Sequence, residues 1–159
     1  MPEKTRVAEK PVAAVAASAE PGLKAPGDFA LSVCLAGVGG SDPLLAPAWF
    51  VLDPDGKLRV AVGERARYNA LPPSVRTLGR ADMDRLYEFA MTSGLSGALS
   101  VTQTPAGSAG LTVAMTSNRR TSSTVWTPAA LTALPGDHPA RELVRRLRVL
   151  GWLDTPERP

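Results

Sequence analysis

Few side chains in this chain are of the kinds that do covalent or acid–base chemistry, and their neighbours decide what each can do. Ala106-Gly107-Ser108-Ala109-Gly110 resembles a Gly-x-Ser-x-Gly nucleophile elbow with its first glycine replaced. An elbow must join a strand to a helix so that its serine is strained and exposed. This one instead sits in a loop and leads into a strand-like run. His138 is the sole histidine and has the chemistry of the base in a Ser-His-Asp relay. It stands between Asp137 and Pro139, where a helix begins, and a cap or first-turn role accounts for it. Cys34 is the single cysteine, inside the apolar run Phe29–Leu35, and reads as a buried structural thiol. With one His and one Cys far apart in sequence, no soft-metal cluster assembles, and no disulfide framework exists.

Two further motifs invite ligands. Asp53-Pro54-Asp55-Gly56 has the opening of a calcium loop, but such a loop needs more oxygen ligands and a late bidentate Glu. Here the chain runs straight into the strand-like Lys57-Leu58, and Glu64 comes too late, so the motif is a turn. Gly37-Val38-Gly39-Gly40 is glycine-rich, yet no Lys and no helix follow it, so it lacks the converging N–H groups of a phosphate cradle. No catalytic, cofactor-binding or metal-ligating residue is assigned, and the expectation is that the chain is not an enzyme and needs no cofactor.

What remains is charge. The 18 basic and 15 acidic residues leave a formal net charge of +3, interspersed along the chain. Nucleic-acid binding calls for a dense basic stripe that releases counterions, and none is present. The densest basic stretch is Arg141, Arg145, Arg146 and Arg148, softened only by Glu142. Its bland reading is a solvated helix face. Its functional reading is a docking patch for an acidic protein partner or an anionic membrane surface. Trp49 and Trp126, both near strand ends, read either as core or as amphipathic contacts at an interface.

These residues must be held by some framework. Residues 1–27 contain four prolines, many alanines and mixed charges, with Leu23 the one large apolar side chain. Such a segment buries too little to offset its ordering entropy and is expected to be a disordered, spacer-like tail. Residues 28–153 read as a single domain and 154–159 as a C-terminal tail. No stretch approaches the ~18 consecutive apolar residues of a membrane span. The Ala-rich run Val12–Ala19 is too weak for a signal peptide, which points to the cytoplasm, or to the envelope if a leader lies upstream.

Within the domain, Phe29, Leu31, Val33 and Leu35 alternate with small residues, the period of a strand. Trp49–Leu52 and Lys57–Val62 flank the Pro-Asp-Gly turn and form a hairpin. Residues 64–77 read as a polar crossover. Met83, Leu86, Tyr87 and Ala90 follow helical spacing, with Asp82 and Asp84 suited to the positive end of the helix dipole. Leu111, Val113 and Met115 open a second hairpin that turns at Ser117-Asn118-Arg119 and returns to Thr127. After Asp137-His138-Pro139, where Asp caps, comes a helix with the stripe Ala140, Leu143, Val144, Leu147 and Leu150, closed by Gly151. Trp152 and Leu153 then fold back onto the core. The expectation is an α+β fold, order β-β-β-α-β-β-α, with about five antiparallel strands and two helices packed on one face.

Three features carry a resemblance: Phe50-Val51-Leu52-Asp53-Pro54-Asp55-Gly56-Lys57-Leu58, Arg76-Thr77-Leu78 before an acidic helix, and the closing Arg-rich helix. In these, and in element order over residues 28–153, the chain resembles the emfourin-type bacterial proteins. They are small α/β domains that include an inhibitor of thermolysin-like metalloproteases, and the chain is also similar to envelope-associated bacterial proteins of the same layout. The loops at 37–47 and 96–109 depart from a compact version of that pattern, and no motif carries an inhibitory residue onto this chain. The resemblance implies a non-enzymatic binding or regulatory domain, a bacterial protease inhibitor, with a protease as its partner. The alternatives are a hydrolase with an unrecognised site and an envelope-docking domain.

Overall fold

Large apolar residues alternating with small ones build β1 (Ala30–Ala36), and this strand lies inside the sheet rather than at its edge. The computed structural model describes residues 22–63, 70–95 and 109–153. Beside β1 lie β2 (Ala48–Leu52), β3 (Lys57–Val62) and β4 (Ser74–Thr77) on one side, and β5 (Gly110–Ser117) and β6 (Arg120–Trp126) on the other. The order is β4-β3-β2-β1-β5-β6, and every neighbouring pair is antiparallel.

The register puts like with like. Val33 stands between Phe50 and Val113, and Leu31 between Leu52 and Met115. One face is thereby a continuous apolar surface, because partners across a ladder share a face. Helices α1 (Arg80–Thr92) and α3 (Pro139–Leu150) bury their stripes with it in a single core cluster, joined by Leu131 of the short helix α2 (Pro128–Ala133). The opposite face carries Ser32, Cys34, Trp49, Val51, Thr112 and Ala114, all half-buried and outside that cluster.

The Asp53–Gly56 motif is a turn. Gly56 N–H donates to Asp53 O at 2.9 Å, Asp55 accepts from Lys57 N–H, and the Asp53 carboxylate pairs with Arg59 at 2.8 Å. Gly56 takes a φ of +91°, and a Cβ there would stand 2.8 Å from the Leu78 carbonyl oxygen, so the position demands glycine.

The framework differs from the sequence expectation in its details. Among the described residues there are six strands rather than about five, and three helices rather than two, in the order β-β-β-β-α-β-β-α-α. The added strand β4 lies in the presumed crossover, behind Pro72-Pro73. It has four residues and pairs across a register break at Leu58/Arg59, so no periodicity could announce it. The added helix α2 is one and a half turns, capped by the Thr127 side chain with Pro128 in its first turn. The cap of α3 is His138, not Asp137: its Nδ1 accepts from Ala140 N–H at 3.1 Å. Of the closing pair, Leu153 packs on the core, while Trp152 stays exposed under the Arg76 guanidinium.

Residues 22–28, assigned by composition mostly to the tail, form a strap along α1. Gly22 N–H donates to Glu88, Ala25 N–H to Asp84, and Arg80 donates to the Ala25 carbonyl. At the strap's end, Asp28 accepts from Arg119 N–H at 2.6 Å and Asn118 N–H at 2.8 Å, holding the β5–β6 turn. Both turn residues have positive φ, 51° and 65°, the backbone of a type I′ turn without its usual glycine. The Arg119 and Asn118 N–H groups hold the Asp28 carboxyl below its ordinary 3.8. A carboxyl with a lowered folded-state value stabilises fully above its unfolded value and loses that contribution as pH falls through the folded one. Asp28→Asn is therefore expected to flatten the acid end of the stability–pH curve, below about pH 4. Denaturant midpoints across that range check it, and parallel curves for the two proteins would refute it.

Candidate functional site

Helical geometry divides the four arginines of α3. The buried stripe Ala140, Leu143, Val144 and Leu147 faces the sheet, and the arginines fall on either side of it. Arg141 is turned inward, its side chain 13% exposed, and pairs with Asp42 at 2.5 Å. Asp42 also caps a short 3₁₀ turn at Pro43–Leu45, accepting from Leu44 N–H at 3.0 Å, so Arg141 anchors the 37–47 loop to α3. Arg145 and Arg146 both donate to Glu142, and the Arg146 guanidinium lies 4.2 Å from the centre of the Phe89 ring on α1. Arg148 stands one turn on from Arg145 and two from Arg141, in the last turn of the helix. The four residues are thus not one patch.

Arg145 and Arg146 do share a site with residues the sequence reading did not connect to them. Between α1 and α3 runs an open groove of roughly 320 Å³, lined by Asp82, Arg85 and Leu86 of α1 and by Glu142, Arg145, Arg146, Val149 and Leu150 of α3. Its floor is apolar, and Val149 is 49% exposed there. Its rim is ionic: Arg85 pairs with Asp82 at 3.3 Å, and Arg146 with Glu142 at 3.2 Å. Partial burial pushes the Glu142 carboxyl up, but hydrogen bonds from Arg145 and Arg146 outweigh it and hold the carboxyl below its ordinary 4.5. With three guanidiniums against two carboxylates, the rim keeps a positive excess. A signal for this site was present. Val149 lies on the outer side of α3, opposite its buried stripe, and a large apolar residue there invites a partner.

The other candidates separate. His138 caps α3 and packs edge-on against Trp126, with ring centres 6.2 Å apart, which occupies its Nδ1. Ser108 and most of the elbow-like segment lie outside the described residues, but Gly110 is placed. It opens β5 at a φ of +110°, pressed against the Trp126 carbonyl, which is a packing reason for that glycine. Cys34 is half-buried on the outer sheet face rather than fully buried, because the alternation that sends Val33 and Leu35 inward sends Cys34 outward. Beside it Trp49 donates through Nε1 to Ser32 Oγ at 3.1 Å, while Trp126 packs against the core. Gly37, Gly39 and Gly40 all take positive φ and form a loop that runs into the 3₁₀ turn, with no helix of phosphate-cradle type behind it.

Among the described residues, no group of three or more His, Cys, Asp or Glu side chains is placed to hold a metal ion, and no helix is long and apolar enough to cross a membrane. Comparison with known proteins finds no family model that matches the chain and no curated protein that matches it.

Proposed function

We propose that this domain is a non-enzymatic binding module, and that the α1–α3 groove takes a protein segment with an apolar side chain flanked by acidic residues. One observation carries the reading: the exposed Val149 stands on an apolar floor with Leu86 and Leu150, ringed by Arg85, Arg145 and Arg146. Exposed apolar area inside a polar rim is the anatomy of a recognition site, and arginine at the rim favours carboxylate-bearing partners through bidentate bonds. A charge-driven envelope contact is less well served. Arg141 is committed to Asp42 and Arg146 lies on the other flank of α3, so the four arginines present no single basic face to a flat anionic surface.

The resemblance to emfourin-type proteins supplies a partner class, a bacterial thermolysin-like metalloprotease, and makes the module an inhibitor. The test is titration of purified metalloproteases of that class with the intact chain, reading residual peptidase activity and calorimetric binding together. Binding at micromolar concentration or better is expected, and Val149→Asp and Arg145→Glu should each weaken it by about tenfold or more. Both positions are at the surface, so the fold should lose less than about 0.5 kcal/mol. Absence of both inhibition and binding at micromolar chain would overturn the protease reading. Full-strength binding by both variants would move the site away from the groove.

A further inference from the structure

The two edges of the sheet are built differently. β4 has only four residues, follows Pro72-Pro73, and pairs with β3 across a register break. Short length, flanking proline and irregular pairing are the usual means of blunting an edge. The other edge, β6, on whose outer side nothing pairs among the described residues, is neither short nor irregular. It runs seven residues from Arg120 to Trp126 without proline, lysine or bulge, and pairs with β5 in unbroken register from Ser117↔Arg120 to Leu111↔Trp126. An unguarded strand of that length is a template for another strand.

Hairpin geometry says which backbone groups it offers. A two-residue loop, Asn118-Arg119, closes on Ser117↔Arg120 as a hydrogen-bonded pair. Pairs then alternate, so Arg120, Ser122, Thr124 and Trp126 turn their backbone groups toward β5. Thr121, Ser123 and Val125 turn theirs outward. The short 2.9 Å contact between the Thr116 and Thr121 hydroxyls fits the closer approach of side chains in a non-hydrogen-bonded pair.

We propose that β6 pairs antiparallel with β6 of a second copy of this chain, about a two-fold axis at Ser123, joining the two six-stranded sheets edge to edge. The sequence of the strand is self-complementary under that axis. Ser123 meets Ser123 of the other copy and Thr121 meets Val125, each pair exchanging both backbone hydrogen bonds through the outward-turned groups. On the helix-bearing side Arg120 falls opposite Trp126, and Ser122 opposite Thr124. The one charged residue of the strand therefore meets an aromatic ring rather than its own copy, and β-branched residues meet across the seam, the pairings that favour a ladder. A heterologous peptide would find the same hydrogen bonds, but nothing in the strand selects a foreign sequence as this register selects its own.

Sedimentation of the intact chain over a concentration series tests the proposal, with three variants alongside. A monomer–dimer equilibrium is expected in the micromolar range. Ser123→Lys sets like charges directly opposite each other across the axis and should raise the dimer Kd by about tenfold or more. Ser123→Pro removes an outward N–H that β5 does not use, and should do the same while the circular dichroism spectrum stays native. Ser123→Cys places two thiols on an antiparallel hydrogen-bonded pair about 5.5 Å apart between Cα atoms, within disulfide reach. It should cross-link under mild oxidation, where neither the parent chain with Cys34 nor Thr121→Cys does. A parent chain that stays monomeric at high micromolar concentration overturns the proposal, as does a dimer indifferent to Ser123→Lys and Ser123→Pro. A monomer that binds only a foreign strand overturns it too. The groove variants Val149→Asp and Arg145→Glu should leave the mass unchanged, so failure here is separable from failure of the groove reading.

Discussion

Gly110→Ala is expected to lower the unfolding free energy by about 3 kcal/mol or more, a large share of the 5–15 kcal/mol that holds a domain together. Two separate causes act at this residue. Its φ of +110° is a conformation that L side chains rarely adopt, which by itself costs about 1–3 kcal/mol. In addition, a Cβ would fall 2.0 Å from the Trp126 carbonyl oxygen and 3.1 Å from its carbon. Those are backbone atoms, so no rotamer change relieves the overlap, and either β5 or the end of β6 has to move. Movement there would disturb Leu111↔Trp126, the Trp126 contact with His138, and the Thr127 cap of α2. Gly39→Ala separates the two causes, because Gly39 has a φ of +73° but nothing within 4 Å of its would-be Cβ. It should lose only about 1 kcal/mol. Urea titrations of both variants check the pair. Equal midpoints for the two would show that the close approach to Trp126 costs nothing.

The contrast between those glycines shows where sequence reading stopped. Period-two alternation located β1, β3 and β5, because one face of each is apolar, while the Pro-Asp-Gly turn placed β2 and the turn at Ser117-Asn118-Arg119 placed β6. The stripes Met83–Ala90 and Ala140–Leu147 located α1 and α3 for the same reason, since both lie in the core. β4 and α2 were not legible. Ser74-Val75-Arg76-Thr77 is a strand only because β3 offers it an edge, and Pro128–Ala133 buries one side chain, Leu131.

For the candidate site the limit was different. Four arginines in eight residues read as one basic face, but helical rotation puts Arg146 on the flank opposite Arg141, Arg145 and Arg148. Arg141 finds Asp42, nearly a hundred residues away in sequence, whereas Arg146 finds Phe89 on another helix. The ion pairs of the groove are local ones, at i,i+3 and i,i+4 within one helix, but its two walls come from α1 and α3, far apart in sequence, and no local pattern contains that juxtaposition.

Asp84→Ala is expected to cost about 2–4 kcal/mol and to release the strap from α1. Asp84 is 2% exposed, the one charged residue that is buried among the described residues, and its role is wholly in what it holds. Oδ1 accepts from Ala25 N–H at 2.9 Å and lies 3.2 Å from Arg80 Nε, while Lys24 approaches Oδ2 at 3.6 Å. Truncation leaves the Ala25 N–H without its acceptor and Arg80 without its counter-charge. Asp84→Asn keeps the acceptor and loses only the charge, so it should cost about 1–2 kcal/mol. Lys24 is 68% exposed, and Lys24→Ala should change stability by less than about 0.5 kcal/mol. Hydrogen exchange reports the strap directly, since the Ala25 amide should lose its protection in Asp84→Ala before the sheet amides do. A protected Ala25 amide in that variant would mean that Gly22–Glu88 and Arg80–Ala25 hold the strap without Asp84. The consequence reaches the groove. The strap grips α1 through Arg80, Asp84 and Glu88, whereas Asp82, Arg85 and Leu86 line the groove from the same helix. A helix clamped along one flank holds its other flank at a fixed distance from α3. Partner affinity at the groove should therefore fall in Asp84→Ala although Asp84 touches no partner, and fall less in Asp84→Asn, in the order of the strap's own loss.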